Sequence, residues 1–314
     1  RELLVSLMHV DYDKDRLEII VVDGNSTDGT REIVSKYPVK LVTEERSGLN
    51  AARNTGIKHS NGEVVAFTDF DCVVPKNWIK KTVENLQDPH VGCVGGNILG
   101  YYDNFLSQYS DKSILPVMRV FKKREVLDAV KPPQHYPAGC NMAVRLEAMK
   151  KAEAFDENIK YGFDEDELVE RICRKGYKMV LDPDVLVQHK HRPTLSELLK
   201  QNFNYGRGIG PLLKTRGIKS TFSKWILLCI LGFAVWSSLI LSLILYTIFL
   251  GSLVSRIITL ITLLLPIIGL MLVYAYRTVK TGDKKFGRVV IYPFIDVARF
   301  LAFVFGGIYQ LLKL

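Results

Sequence analysis

The sequence predicts an α/β domain over residues 1–205, followed by two or three transmembrane α-helices. Short apolar strands alternate with helical segments in the first part, which is typical of a doubly wound, Rossmann-like, mostly parallel sheet. Beyond residue 224 the apolar residues form long runs with few charges. The chain also combines a net charge of +9 with a mean hydropathy of +0.10, which indicates a membrane protein with basic edges.

Three apolar strands in the first part of the domain end in polar or acidic side chains. These strands are predicted at residues 17–23, 39–43 and 64–67. The first ends at Asp23, and the third runs into Asp69 and Asp71, whose side chains should point the same way on an extended backbone. Ligands of open α/β sheets bind at the carboxyl ends of strands. The paired acids therefore favour a site for a hard divalent cation, although a solvated turn would carry the same residues.

The remaining elements of the domain follow from apolar spacing. Helices are predicted at 1–10, 47–59, 78–86, 164–175 and 195–203, and strands at 91–98, 137–144, 177–181 and 185–188. Ser26 or Thr27 is expected to cap a helix that begins near Gly29. Residues 101–135 mix aromatic and basic side chains, and either lie on a lipid surface or form an ordinary amphipathic helix and loop.

The five cysteines are Cys72, Cys93, Cys140, Cys173 and Cys229. Their number is odd and no pair has C-x-x-C spacing. We therefore expect scattered reduced thiols in a domain that faces the cytosol, rather than a disulfide framework.

A basic juxtamembrane linker is expected at residues 206–224, ahead of spans at about 225–250, 253–276 and 289–312. The third span is interrupted by Asp296 and Arg299, which are one helical turn apart and can pair or face other helices. Basic residues cluster before the first span and between the second and third, whereas Arg256 alone marks the connection between the first two. The positive-inside rule therefore places the α/β domain of a multi-pass cell-membrane protein in the cytoplasm. The clusters are Arg207, Lys214, Arg216, Lys219 and Lys224, and Arg277, Lys280, Lys284, Lys285 and Arg288.

Six short motifs follow one another in the α/β domain. They are Val21-Val22-Asp23-Gly24-Asn25-Ser26-Thr27-Asp28-Gly29-Thr30, Gly48 with Ala52-Arg53-Asn54-x-Gly56, Asp69-Phe70-Asp71, Gly139-Cys140-Asn141-Met142-Ala143, Asp164-Glu165 through Arg171 with Gly176-Tyr177, and His189. In this order they resemble the motifs of family-2 glycosyltransferases, which have the GT-A fold. A further segment just before the spans, Gln201-x-Phe203-x-Tyr205-Gly206, resembles one found in members of the family that have C-terminal membrane spans.

The resemblance implies three kinds of site residue. The divalent metal, Mg or Mn, would be held by Asp71, Asp69 and His189. The nucleotide sugar would contact Asp23, Ser26, Arg53, Asp69, Gly139 and Asn141. The catalytic base would be Glu165, with Asp164 and Asp166 as rivals because this chain has Asp-Glu where the family has Glu-Asp. Each assignment has a structural alternative. His189 could be a strand-end histidine in a polar pocket, and Arg53 an exposed helix arginine. The acidic run at 164–167 would also suit the first turn of a helix without any catalytic role.

Two further departures from the family pattern are visible. Gly24 stands where many members have another Asp. The family's first strand, with its P-x-Y-N contact to the nucleotide, would precede Arg1, so we expect an incomplete chain or a late start.

The resemblance implies an inverting, metal-dependent transfer of a sugar from a nucleotide sugar to a hydroxyl of a lipid-linked or membrane-associated acceptor at the cytoplasmic face. One alternative is a polyprenyl-phosphate sugar transferase, whose anionic acceptor could dispense with a base. Another is an inactive nucleotide-sugar-binding membrane scaffold. The expected partners are the nucleotide sugar, the acceptor and membrane lipids, without nucleic acid.

Overall fold

The computed structural model describes residues 1–114, 118–133, 135–282 and 287–313. An α/β domain is followed by three long helices. The elements, in chain order, are α1 (Glu2–Met8), β1 (Ile20–Asp23), α2 (Thr30–Val34), β2 (Lys40–Thr43), α3 (Leu49–Lys58), β3 (Val64–Phe67), β4 (Cys72–Val73), α4 (Trp78–Asn85), β5 (Val91–Gly100), α5 (Phe105–Lys112), β6 (Glu125–Leu127), β7 (Met142–Arg145), α6 (Leu146–Lys151), α7 (Asp164–Arg174), β8 (Lys178–His189), α8 (Leu195–Arg207), α9 (Ile209–Arg216), α10 (Thr221–Leu250), α11 (Leu253–Thr281) and α12 (Gly287–Leu311).

The described strands form two sheets. β1 and β2 pair in parallel, while the larger sheet has the order β3-β7-β5-β8-β4 with β6 beside β8. In the larger sheet β5 and β8 run parallel, and the other described pairs are antiparallel. This sheet is therefore mixed, and the prediction that its strands are mostly parallel was wrong. Strand–helix alternation predicts parallel strands only where a helix crosses over between them. β7 instead follows α5 and β6 and enters antiparallel between β3 and β5.

Two local predictions also differ from the structure. The expected cap at Ser26 or Thr27 is absent from α2, whose N-cap is Gly29 in a left-handed conformation with φ of 84°. Glycine adopts that conformation without steric cost, so the chain turns into the helix without a side-chain cap. The two short strands expected at 177–181 and 185–188 form one continuous strand, β8.

The sheet is covered on both faces by helices. One apolar cluster packs α6 and α7 against the strands and extends to Phe222 at the start of α10. The other packs α1 and α4 on the opposite face and includes Trp78 and Val94. A membrane-type helix therefore contributes to the core of the α/β domain.

Residues 206–224, expected as a linker, are helical for most of their length. α8 continues to Arg207, α9 follows, and α10 begins at Thr221. α8 lies directly against α12, where a Cβ added at Gly206 would overlap the carbonyl oxygen of Phe303 and one added at Gly306 would overlap that of Phe203. Small residues of this kind let two helix backbones approach closely.

The N-terminus of α10 has Ser220 as its N-cap and is also bound by an acid from α7. Glu170 accepts hydrogen bonds from the Ser220 hydroxyl (2.8 Å) and from the Thr221 backbone N–H (2.8 Å) and hydroxyl (2.7 Å). A carboxylate satisfies the free N–H groups at a helix start and complements the positive end of the helix dipole. The same helix that carries the acidic run therefore also holds the start of α10.

Helices α10, α11 and α12 are each long and apolar enough to cross a membrane. The expected pairing of Asp296 with Arg299 is confirmed, with 3.6 Å between Oδ1 and Nη1. Lys284 and Lys285, which the charge count included, lie outside the described residues.

Candidate active site

A cavity of about 1060 Å³ lies between the acidic end of the larger sheet and helices α10 and α12. Its polar wall comes from the α/β domain, and its apolar wall includes side chains of the two long helices. The polar wall contains Asp69, Asp71, Asp164, Glu165, Asp166, His189, Arg53, Arg119 and Arg192, and the apolar wall contains Trp225, Ile226, Phe233, Phe300, Phe303 and Val304. One cavity thus joins most of the predicted site residues to the membrane-type helices.

Asp71 and His189 meet in this cavity because β4 pairs with the end of β8. Nε2 of His189 lies 3.3 Å from Oδ1 of Asp71. That oxygen is buried and accepts no hydrogen bond from any described residue. Burial lowers the pKa of His189 to about 4, so its imidazole is neutral at pH 7. A buried carboxylate oxygen without a donor, beside a neutral imidazole, fits a divalent cation as ligand.

Asp69 is influenced by the charges of two arginines and two other acids. Burial raises the pKa of Asp69, the Arg53 charge opposes this effect, and Asp71 and Asp164 add to it. A buried acid with a raised pKa gains from any further positive charge that binds beside it. Asp69 therefore also suits a position next to a metal ion.

Arg53 is buried rather than exposed on its helix. Its guanidinium pairs with Asp164 and lies 5.0 Å from the centre of the Phe155 ring. A Cβ at Gly139 would overlap the same guanidinium. Gly139 therefore leaves the space that Arg53 needs to reach the first turn of α7.

The three candidate bases among the four acids in the first turn of α7 have different environments. Burial is the largest single influence on Asp164 and would raise its pKa, but the Arg53 charge and the hydrogen bonds from Glu165, Arg53 and the backbone together hold that pKa below its usual value. Asp166 is buried, and its pKa is raised well above the usual range, mainly by that burial and then by Glu165 and Asp164. Burial and the adjacent Asp164 raise the pKa of Glu165 to about 7. Glu165 therefore changes its charge near neutral pH.

Two residues beside Glu165 were not predicted from the sequence. Nη2 of Arg119 lies 3.5 Å from Oε1 of Glu165, and its guanidinium lies 4.1 Å from the centre of the Tyr136 ring. The edge of Tyr136 packs on Phe222 of α10, with 4.9 Å between ring centres. Arg119 and Tyr136 belong to the irregular segment between β5 and β7, where no periodic pattern marked them.

Three predicted nucleotide contacts lie away from the cavity wall. Asp23 accepts hydrogen bonds from the Ser26 backbone N–H (3.1 Å) and from Arg31 (2.8 Å) in the separate two-stranded sheet. Asn141 accepts from Trp78 Nε1 (2.9 Å) and donates to two backbone carbonyls, those of Asn97 (3.0 Å) and Val185 (2.8 Å). The buried Asn141 amide is thus engaged within the fold, and its expected contact with the nucleotide stays a prediction.

Residues 1–152 match the family model "Glycosyl transferase family 2". Among curated proteins, the chain is 31% identical over 206 residues to glycosyltransferase AglE of Haloferax volcanii, which covers 63% of this chain and 64% of AglE. A second relative, from Methanococcus voltae, is 22% identical over 222 residues. It is a dolichyl N-acetyl-α-D-glucosaminyl phosphate 3-β-D-2,3-diacetamido-2,3-dideoxy-β-D-glucuronosyltransferase, and the match covers 65% of this chain and 66% of that protein. The matched part thus spans less than two thirds of either relative.

Among solved structures, the chain resembles mannosyltransferase PcManGT from Pyrobaculum calidifontis in complex with GDP-Man and Mn²⁺. The two share 20% sequence identity at a TM-score of 0.56, over 96% of this chain and 81% of that one. At this identity the likeness shows the fold alone. The α/β domain therefore has the GT-A fold that the motifs predicted.

Proposed function

We propose that this protein transfers a sugar from a nucleotide-sugar donor to a membrane-held acceptor. Residues 1–152 match the family-2 glycosyltransferase model, and three membrane-type helices follow the α/β domain in the chain. One observation carries the proposal. The cavity that contains Asp69, Asp71 and Glu165 is also walled by apolar side chains of α10 and α12. A polar reaction centre that opens onto membrane helices suits an acceptor with a lipid tail.

The donor end of the site consists of Asp69, Asp71 and His189. Bound there, Mg²⁺ or Mn²⁺ would neutralise the charge that develops on the nucleotide-diphosphate leaving group. The orphan Oδ1 of Asp71 supports this assignment, as does the Mn²⁺ and GDP-Man bound to the structural relative. Asp23 and Ser26, at the end of β1, are proposed to contact the nucleoside part of the donor, beyond the diphosphate.

The acceptor end consists of the first turn of α7. Glu165 is proposed to accept the proton of the attacking hydroxyl, because a base whose pKa is near 7 is both ionised and basic enough at neutral pH. Asp164 is paired with Arg53, and burial disfavours the charged form of Asp166, so Glu165 is the preferred base. A single base without a nucleophilic partner fits a direct displacement that inverts the anomeric carbon.

The acceptor is proposed to be a lipid-linked sugar on the cytoplasmic face. Aromatic side chains at Trp225, Phe233 and Phe300 provide an apolar wall next to the reaction centre. The name of the M. voltae relative describes a dolichyl-linked sugar phosphate as its acceptor, which supports this class. The basic residues before α10 and after α11 support the cytoplasmic placement.

The test is a transfer assay on the purified full chain in lipid nanodiscs that contain extracted polyprenyl-linked lipids. Labelled nucleotide sugars are supplied one at a time with Mn²⁺, and the lipids are then extracted and analysed. We expect one donor to label a lipid-linked sugar, and Glu165→Gln to abolish the labelling. If Glu165→Gln keeps full activity, the acceptor is a polyprenyl phosphate instead. If no donor reacts, and Asp71→Ala leaves Mn²⁺ binding unchanged, the proposal fails.

A further inference from the structure

Two cysteines and a histidine from three strands meet behind the proposed metal site. Cys72 lies in β4, Cys140 precedes β7, and His189 ends β8. One ligand atom of each, the two Sγ atoms and a ring nitrogen, lies within 4.8 Å of the others, and all three residues are buried.

We propose that Cys72, Cys140 and His189 form a binding site for a thiophilic divalent cation, Zn²⁺. This site shares His189 with the proposed site of the catalytic metal. Zinc bonds of about 2.3 Å to sulfur and about 2.0 Å to nitrogen place tetrahedral ligands roughly 3.6 to 3.8 Å apart. Shifts of about 1 Å or less in side-chain position therefore bring the three atoms into range.

The charges of this site balance in a buried position. On binding, each thiol releases its proton, and two thiolates with a neutral imidazole offset the charge of Zn²⁺ when water is the fourth ligand. Sulfur and imidazole ligands favour Zn²⁺, whereas carboxylate oxygens favour Mg²⁺ and Mn²⁺. The two neighbouring sites thus differ in the metals they select.

A cation has a path to this cluster and a source for a fourth ligand. Cys140 and His189 both line the large cavity. Oδ1 of Asp71, 3.3 Å from Nε2 of His189, accepts no hydrogen bond from the described residues. Asp71, or a water molecule from the cavity, completes four-fold coordination.

The shared histidine makes the two metals mutually exclusive, and this consequence rests on the proposed function. With Zn²⁺ on the thiolates, His189 is withdrawn from the site of Asp69 and Asp71. Zn²⁺ therefore inhibits transfer in competition with Mn²⁺.

Binding is tested on the reduced full chain with Cd²⁺, which binds thiolates and gives an ultraviolet sulfur-to-metal charge-transfer absorption. We expect saturation at one Cd²⁺ per chain, loss of this absorption in Cys72→Ser and in Cys140→Ser, and no change in the control Cys173→Ser. Circular dichroism checks that each variant is folded, and Cys→Ala variants replace any that is not. Absorption that survives in the Cys72 and Cys140 variants, or that never forms in the wild type, overturns the site.

The shared histidine is tested by Mn²⁺ binding, followed by electron paramagnetic resonance. Zn²⁺ should release bound Mn²⁺ from the wild type at concentrations at least tenfold lower than from Cys72→Ser/Cys140→Ser. Equal release from both proteins overturns the competition. Because Cd²⁺ absorption does not depend on turnover, a protein that binds Cd²⁺ through these thiols but transfers no sugar retains this site while the proposed function fails.

Discussion

The hydroxyl of Tyr109 on α5 donates a 2.5 Å hydrogen bond to Oδ1 of Asp296 on α12. Oδ2 of the same acid accepts from Tyr274 on α11 at 2.6 Å, and Nη1 of Arg299 donates to the Tyr109 hydroxyl oxygen at 2.9 Å. These groups are buried, so each depends on the others for its hydrogen bonds. The cluster fixes the α/β domain on two of the membrane-type helices.

Removing the Tyr109 hydroxyl should destabilise the protein. Tyr109→Phe removes one of the hydrogen-bond partners of Asp296 and one of those of Arg299. Leaving a buried polar group unsatisfied lowers the free energy of unfolding by about 1–3 kcal/mol. Thermal unfolding in detergent micelles should show a lower Tm. The control is Tyr102→Phe, at an exposed tyrosine of the same segment. Equal Tm values for the two variants would contradict a role of this cluster in stability.

The crossing of α8 and α12 should not tolerate a methyl group. Gly306→Ala places a Cβ against the Phe203 carbonyl oxygen, and forced overpacking costs about 1–3 kcal/mol. The same substitution at Gly269 on α11, where no atom of another residue is near, should be neutral or slightly stabilising. Unfolding of both variants by denaturant in micelles measures the difference. If Gly306→Ala behaves like Gly269→Ala, the two helix backbones are not in close contact at this crossing.

Replacing the proposed base should remove transfer while leaving donor binding intact. Glu165→Gln cannot accept the acceptor proton, and loss of a general base lowers the rate by about 10²–10⁴-fold. Single-turnover transfer measures the rate, and nucleotide binding by calorimetry should stay within twofold of the wild type. The matched control is Glu147→Gln, at an exposed acid of α6. A comparable loss in both variants would argue against a specific role for Glu165.

Transfer should depend on pH through the charge of Glu165. Burial and Asp164 raise the pKa of Glu165 to about 7, and the acid is an active base only when ionised. The groups that face it are Asp164, Asp166, Arg53, Arg119, Tyr136 and Tyr205. The rate should therefore rise with pH up to about 7 and level off above it. A profile already flat from pH 5 to 7 would exclude Glu165 as the base.

Metal binding should depend on Asp71. Asp71→Asn removes the negative charge of a carboxylate whose Oδ1 accepts no hydrogen bond from the described residues. It should weaken Mn²⁺ binding at least about 10-fold, because loss of a residue that only hydrogen bonds a metal ligand already costs about that much affinity. Electron paramagnetic resonance of Mn²⁺ gives the affinity without an activity assay. Asp184→Asn, at an exposed acid of β8, serves as the control. Unchanged Mn²⁺ affinity in Asp71→Asn would remove Asp71 from the metal site.

Much of the fold was predictable because its signals are local. The apolar spacing of α1 and α7, the strand before Asp69 and the uncharged runs of α10 and α11 all lie within a few turns or a single strand. Periodicity records which face of such a segment is buried. The mixed pairing of the larger sheet was not predictable, because pairing joins strands that are far apart in the sequence.

The sequence by itself determined the class of domain, the membrane-type helices and the candidate acids, since these follow from local composition and motif order. Only the tertiary structure separated Asp164, Glu165 and Asp166, which are adjacent in the chain and alike in chemistry. Their different pKa values come from burial and from Arg53 and Arg119, residues distant in sequence that the fold brings to the first turn of α7. Electrostatic interactions depend on distance and burial in space, which the order of residues does not contain.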